Sequence, residues 1–166
     1  MTHNAQLLLV MVMALLIGVS AASAQVVFER PGLLTSVGQS SDVAIVKVVV
    51  NTQMKLGLEA KPLATPADLD GMKTLVIVVG ASTKGLGAAG LDVAKEVERA
   101  QALLAAAKAK GIKVLVLHTG GEARRGKTSN DMIEAVMPGA DMAVVVAAGN
   151  KDRLFNTLAE KRNTPV

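Results

Sequence analysis

The chain has 166 residues, 51% hydrophobic and 19% charged, with a formal net charge of +4; that is enough for one domain with a proper core and too apolar for a disordered chain. Two phenylalanines are its only aromatic residues and cysteine is absent. This excludes disulfide frameworks and cysteine-held zinc, haem and iron–sulfur sites, and it argues against nucleic-acid modules built on aromatic stacking. The mild positive charge contains no long Lys/Arg run and implies no more than solubility.

The first element in chain order is a leader. Leu7 to Val19 (LLLVMVMALLIGV) is continuously apolar, short for a bilayer span, and followed by Ala22-Ser23-Ala24, an A-x-A cleavage pattern. Residues 1–24 therefore read as a signal peptide cleaved near Ala24, although the segment before the apolar run has His3 and no Lys or Arg. An uncleaved membrane anchor is the competing reading. The expected product is an exported, periplasmic or secreted chain without stable membrane insertion, folding as a single domain over residues 25–166.

Beyond the leader, Leu33–Val37 reads as a short strand, and Gly38-Gln39-Ser40-Ser41-Asp42 supplies helix caps. Val43–Val50 (VAIVKVVV) is ambiguous between strand and helix. The preceding caps favour a helix over about Asp42–Gln53. Met54 to Asp70, with Gly57, Pro62 and Pro66, reads as a connection holding at most one short strand. Leu75–Val79 does not alternate and is predicted to be a strand buried on both faces.

A glycine-rich loop, Gly80 to Gly90, comes next. A helix over Asp92–Lys110 follows, with Val93, Val97, Ala100, Leu104 and Ala107 on one stripe, Asp92 as cap and Glu96 favouring its N-terminal end. The remaining elements are a strand at Lys113–Leu117, a second glycine-rich loop at Gly120–Lys127, and a helix from Ser129 to about Met137. A strand at Met142–Ala147, a third loop at Ala148–Asn150 and a last helix near Lys151–Lys161 complete the series. Asn163 to Val166 falls where one more strand would begin. Alternating strands and helices predict a three-layer α/β fold, Rossmann-like or flavodoxin-like, with four or five mostly parallel strands.

Right-handed crossovers put the three loops on the carboxyl edge of that sheet, where open α/β folds bind ligands. The loops bring Ser82, Thr83, Lys84 and Gly85, then His118, Gly120, Gly121, Arg124 and Arg125, then Asn150. Glycine lets a backbone approach closely, and Arg offers a planar fork to a carboxylate or phosphate. These residues are the candidate binding site for a small anion, with backbone N–H groups near Ser82–Gly87 and Gly120–Gly121 as the cradle. Against this stands the reading of Arg124, Arg125 and Lys127 as solvated loop charges and of the glycines as turn formers.

Other chemistries fit less well. The loop GASTKGLG resembles the glycine signature of short-chain dehydrogenases. Its spacing is one residue too long, no acidic residue ends the next strand, and the chain has no tyrosine for that family's catalytic pair. No G-K-[ST] ends that Gly80–Gly90 loop, so it is not a P-loop, and no G-x-S-x-G elbow exists. No metal or cofactor is implied. His118 is the one histidine outside the leader. It reads either as a hydrogen-bonded structural residue or as the general base of a hydrolase. A cell-envelope interaction module without a small ligand is the third alternative.

The segments LLTSVGQSSD (33–42), KTLVIVVGASTKGLGAAGLD (73–92), HTGGEARRG (118–126), Ser129-Asn130-Asp131 and GNKD (149–152) together resemble a family of exported bacterial proteins known only as a domain of unknown function. The resemblance spans nearly all of the chain after the leader. It implies an exported α/β domain whose chain continues past Val166 into another strand, and it brings no activity with it.

Overall fold

The computed structural model describes residues 25–166; the leader and its cleavage site lie outside the described residues. Five strands form one all-parallel sheet in the order β2-β1-β3-β4-β5: β1 Gly32–Val37, β2 Glu59–Ala60, β3 Thr74–Val79, β4 Lys113–His118 and β5 Met142–Val145. That order is the flavodoxin-like one, with its reversal of direction between β1 and β3. β1 and β3 are buried at every residue, as an apolar run without alternation requires. Pro165 accepts a hydrogen bond from the Ala143 N–H (2.8 Å), so the last residues lie along the free edge of β5.

The ambiguous run after β1 is helical: α1 spans Asp42–Val48 and widens into a π turn over Val49–Gln53. Tertiary context decided it. Val46 and Val50, one turn apart, pack on Leu34, Val76 and Val78 of the sheet. The Ser/Asp cluster contributes little: Ser41 at the helix start makes no side-chain capping bond, and Ser40 Oγ accepts from the Asp42 N–H only at 3.4 Å. Asn51 then brackets the returning chain, accepting from Leu58 N–H (2.7 Å) and donating to Leu58 C=O (2.8 Å).

The segment read as a glycine-rich loop is mostly helix. α2 covers Thr83–Ala88, capped by Ser82, whose hydroxyl accepts from the Gly85 N–H (3.1 Å). A Cβ at Gly85 would collide with the Gln39 carbonyl, so that glycine serves backbone packing. α3 spans Val93–Ala109, with Asp92 capping the Lys95 N–H at 2.8 Å as expected. Its buried stripe is rotated from the predicted one: Glu96, Ala100, Leu103 and Ala107 face inward, while Val93, Val97 and Leu104 are only half-buried. α4 (Lys127–Val136) starts two residues before Ser129, and α5 spans Leu154–Glu160.

The helices are unevenly shared. α3, α4 and α5 pack against one side of the sheet, around Leu75, Ile77, Val114, Val116 and Ala143. Among the described helices α1 alone packs into the cluster on the other side.

Candidate functional site

Four of the loops at the carboxyl edge of the sheet bear on the site: 38–41 after β1, 80–82 after β3, 119–126 after β4 and 146–153 after β5. The first is an addition to the three predicted. Its signal in the sequence is the strand reading of Leu33–Val37, which with parallel topology puts the following loop at this edge; its Ser/Asp residues point only to a helix cap.

The crevice between β1 and β3 is closed by the chain itself. Gln39 and Ala81 form an antiparallel bridge, the Ser82 N–H donates to Gly38 C=O (2.8 Å), and the Ala81 N–H donates to Ser129 Oγ (3.0 Å). With the Gly85 N–H held by Ser82 and the Leu86 N–H by the Ser82 carbonyl, most of the predicted amide cradle near Ser82–Gly87 is occupied. Thr83 and Lys84 are exposed on α2, and Lys84 has no ion-pair partner among the described residues.

Behind this closure lies a buried ion pair that sequence reasoning missed. The Glu96 side chain is inaccessible and accepts from Gly38 N–H (2.8 Å), Gln39 Nε2 (2.8 Å) and Arg99 Nε (2.8 Å) and Nη2 (2.9 Å). Arg99 also donates to Ala64 C=O (2.7 Å) and Ser36 C=O (2.6 Å). Burial pushes the Glu96 carboxyl up, but the bonds from Arg99, Gly38 and Gln39 and the Arg99 charge outweigh it and hold it below its ordinary value. The available signal was an opposite-charge pair spaced i, i+3 on the flank of an apolar stripe.

Arg124 and Arg125 point into different surroundings. Arg125 is spent on the fold. It grips Asp152 with two bonds (Nη1 3.0 Å, Nη2 2.7 Å), donates from Nη1 to Gly149 C=O and from Nε to Asn130 Oδ1 (3.0 Å), and lies 5.8 Å from the Phe155 ring centre. Its hydrogen bonds hold the Asp152 carboxyl below its usual range.

Arg124 is held loosely. Its Nε stands 3.4 Å from Asp42 Oδ2 and its Nη2 3.4 Å from Ser41 Oγ, and 29% of its side chain is exposed. Asp42 Oδ2 is buried without a hydrogen-bond partner among the described residues. Gly120 forms the floor, where a Cβ would strike both the Arg124 side chain and Asp42 Oδ2. The Gly120 and Gly121 N–H groups have no backbone partner among the described residues.

His118 is fully buried. Its Nδ1 lies 3.0 Å from Val79 C=O, its Nε2 lies 3.2 Å from Gly121 C=O, and its ring packs on Phe155 with centroids 5.2 Å apart. Both ring nitrogens are directed at backbone carbonyls, which leaves neither for a substrate and weakens the hydrolase alternative. Asn150 joins α5 to its loop, donating to Asn156 Oδ1 (2.7 Å) and accepting from Phe155 N–H (3.2 Å). The structure thus gathers Gly120, Gly121 and Arg124 beside Ser41 and Asp42. It turns Gly85, His118, Arg125 and Asn150 to internal bonding.

Two concavities, of about 480 and 470 Å³, lie instead near the residues that precede β3, β4 and β5, at the amino edge. Lys113 lines both and is paired with Asp141 at 3.0 Å, so neither adds an unpaired Lys113 to a ligand site. No group of three His, Asp or Glu side chains that could hold a metal occurs among the described residues, and no described helix is long and apolar enough to cross a membrane.

Fold and edge together define the class: a parallel α/β domain of flavodoxin-like strand order, its longest loops on the carboxyl side of the sheet. Within that class the chain belongs to the family described as a domain of unknown function, DUF6305, whose model matches residues 29–166. No match was found among curated proteins or among solved structures.

Proposed function

We propose that the chain is an exported binding domain that holds a small anion, a carboxylate or phosphate, at the carboxyl edge of its sheet. In this reading residues 1–24 are removed as a signal peptide, residues 25–166 act as one domain, and no catalysis is required. One observation carries the reading: of two adjacent arginines, Arg125 gives four of its five N–H donors to internal acceptors, while Arg124 makes only 3.4 Å contacts and keeps donors free among the described residues. Beside Arg124 the Gly120 and Gly121 amides also lack backbone partners among the described residues, and backbone N–H groups next to a guanidinium favour an anion.

Thermal-shift titration with inorganic phosphate and with acetate tests this. A ligand present at tenfold over its Kd raises the midpoint by about 3 °C or more. The rise is expected to vanish in Arg124→Gln. An unchanged midpoint with both anions, or an undiminished rise in Arg124→Gln, overturns the proposal.

A further inference from the structure

The two sides of the sheet are not equally covered. On the side of α1, Leu115 and Leu117 of β4 are only partly buried, and no helix follows α1 across β4 and β5 among the described residues. Val144 stands beside Leu117 in the ladder and is 52% exposed; Val146, two residues on and on the same side by alternation, is 44% exposed. The outer surface of α1 is also apolar: Ile45 is 62%, Val48 53% and Val49 37% exposed. Lys47 is the one charged residue in Val43–Val50, and the β4 and β5 residues named here carry none.

We propose that this face docks a second copy of the chain, with each copy's α1 seated on the bare β4–β5 surface of the other. Shape favours this occupant. A helix with its side chains is about 10–12 Å thick, so α1 stands as a ridge beside strands lying about one helix diameter lower. A twofold axis sets each ridge into the other's step and makes the contact isologous and closed. A flat lipid surface would meet the ridge and leave the step empty.

Area agrees as well. The exposed parts of Ile45, Val48, Val49, Leu115, Leu117, Val144 and Val146 sum to roughly 500 Å² per copy, near the apolar share of the ~800 Å² that a standard interface buries on each partner. A patch of that size, without a central charge, is at the upper end of what monomers expose. This inference does not depend on the anion site.

The test is sedimentation equilibrium on the protein expressed with its own leader and purified as the cell processes it. At about 50 μM a dimer is expected, with Val48→Asp and Val144→Asp each weakening it at least tenfold. Both side chains are exposed, so the variants' thermal midpoints measured under monomeric conditions should match wild type, and Lys108→Glu on the outside of α3 should leave the dimer intact. Because the chain has no cysteine, mixing Val48→Cys with Val144→Cys protein should give a disulfide-linked heterodimer in preference to either homodimer. A monomer at this concentration overturns the proposal. So does a dimer indifferent to both aspartates, or monomeric co-sedimentation with phosphatidylglycerol vesicles that is lost in Val48→Asp.

Discussion

Two ion pairs at the carboxyl edge use the same residue types and reach opposite states. Glu96–Arg99 is sealed: the carboxylate is inaccessible, it accepts from four donors, and the guanidinium also fills the Ala64 and Ser36 carbonyls. Asp42–Arg124 is open, with one 3.4 Å ionic contact, an orphaned carboxylate oxygen and a partly exposed guanidinium. The sealed pair ties the β1 loop to α3 and to residue 64. The open one keeps donor capacity that no internal acceptor uses. Saturation of hydrogen bonding, and not charge alone, separates scaffold from candidate site.

The sealed pair should break hardest. Glu96→Ala leaves the mostly buried Arg99 charge without its carboxylate and frees the Gly38 N–H, at a cost of about 3–5 kcal/mol measured by urea unfolding. Its pH dependence has a fixed sign. The folded carboxyl titrates below its ordinary value of 4.5, so its stabilisation is fully present above pH 4.5 and is lost as pH falls through the lower folded value. Glu96→Gln, which cannot ionise, should show a shallower loss of stability below pH 4.5 than wild type. An equal slope in the two proteins would assign acid unfolding to other carboxylates.

Arg125 comes next. Arg125→Ala removes the two-bonded grip on Asp152 and leaves Gly149 C=O without that donor. Asp152 is 56% exposed, so water compensates much of the loss. The expected cost is about 1–3 kcal/mol, with faster hydrogen exchange in residues 146–153 as the local sign. Retained protection there would place Arg125 on the open side of the comparison.

The comparison also shows how much a sequence can display. β3, α3 and its Asp92 cap were legible because each depends on local pattern: an unbroken apolar run, a 3.6-residue period, a side chain three residues from its amide. The shared edge of the loops followed from topology. The distinction between Arg124 and Arg125 was not legible, since adjacent residues have the same local chemistry and their fates are set by Asp42 and Asp152, 82 and 27 positions away. Gly85 and Gly120 illustrate the same limit. Both were recognised as close-approach residues, but what approaches them is Gln39 and the Arg124–Asp42 pair of the protein itself.

The smallest stability change and the sharpest functional one should come from Arg124→Gln. The side chain keeps most of its length and can still reach Ser41, while its ionic contact at 3.4 Å and partial exposure give it little to lose. Unfolding free energy should fall by about 1 kcal/mol or less, within the range of partly exposed pairs. If Arg124 is scaffold, that modest loss is its whole effect and the response to phosphate is the same as in wild type. If its free donors serve a ligand, the anion-induced rise in thermal midpoint disappears while the fold stays nearly as stable. Measured together on one variant, the two quantities separate a weak structural pair from a working guanidinium, and Arg125→Ala supplies the reverse pattern as reference: a larger loss of stability with anion binding retained in the folded fraction.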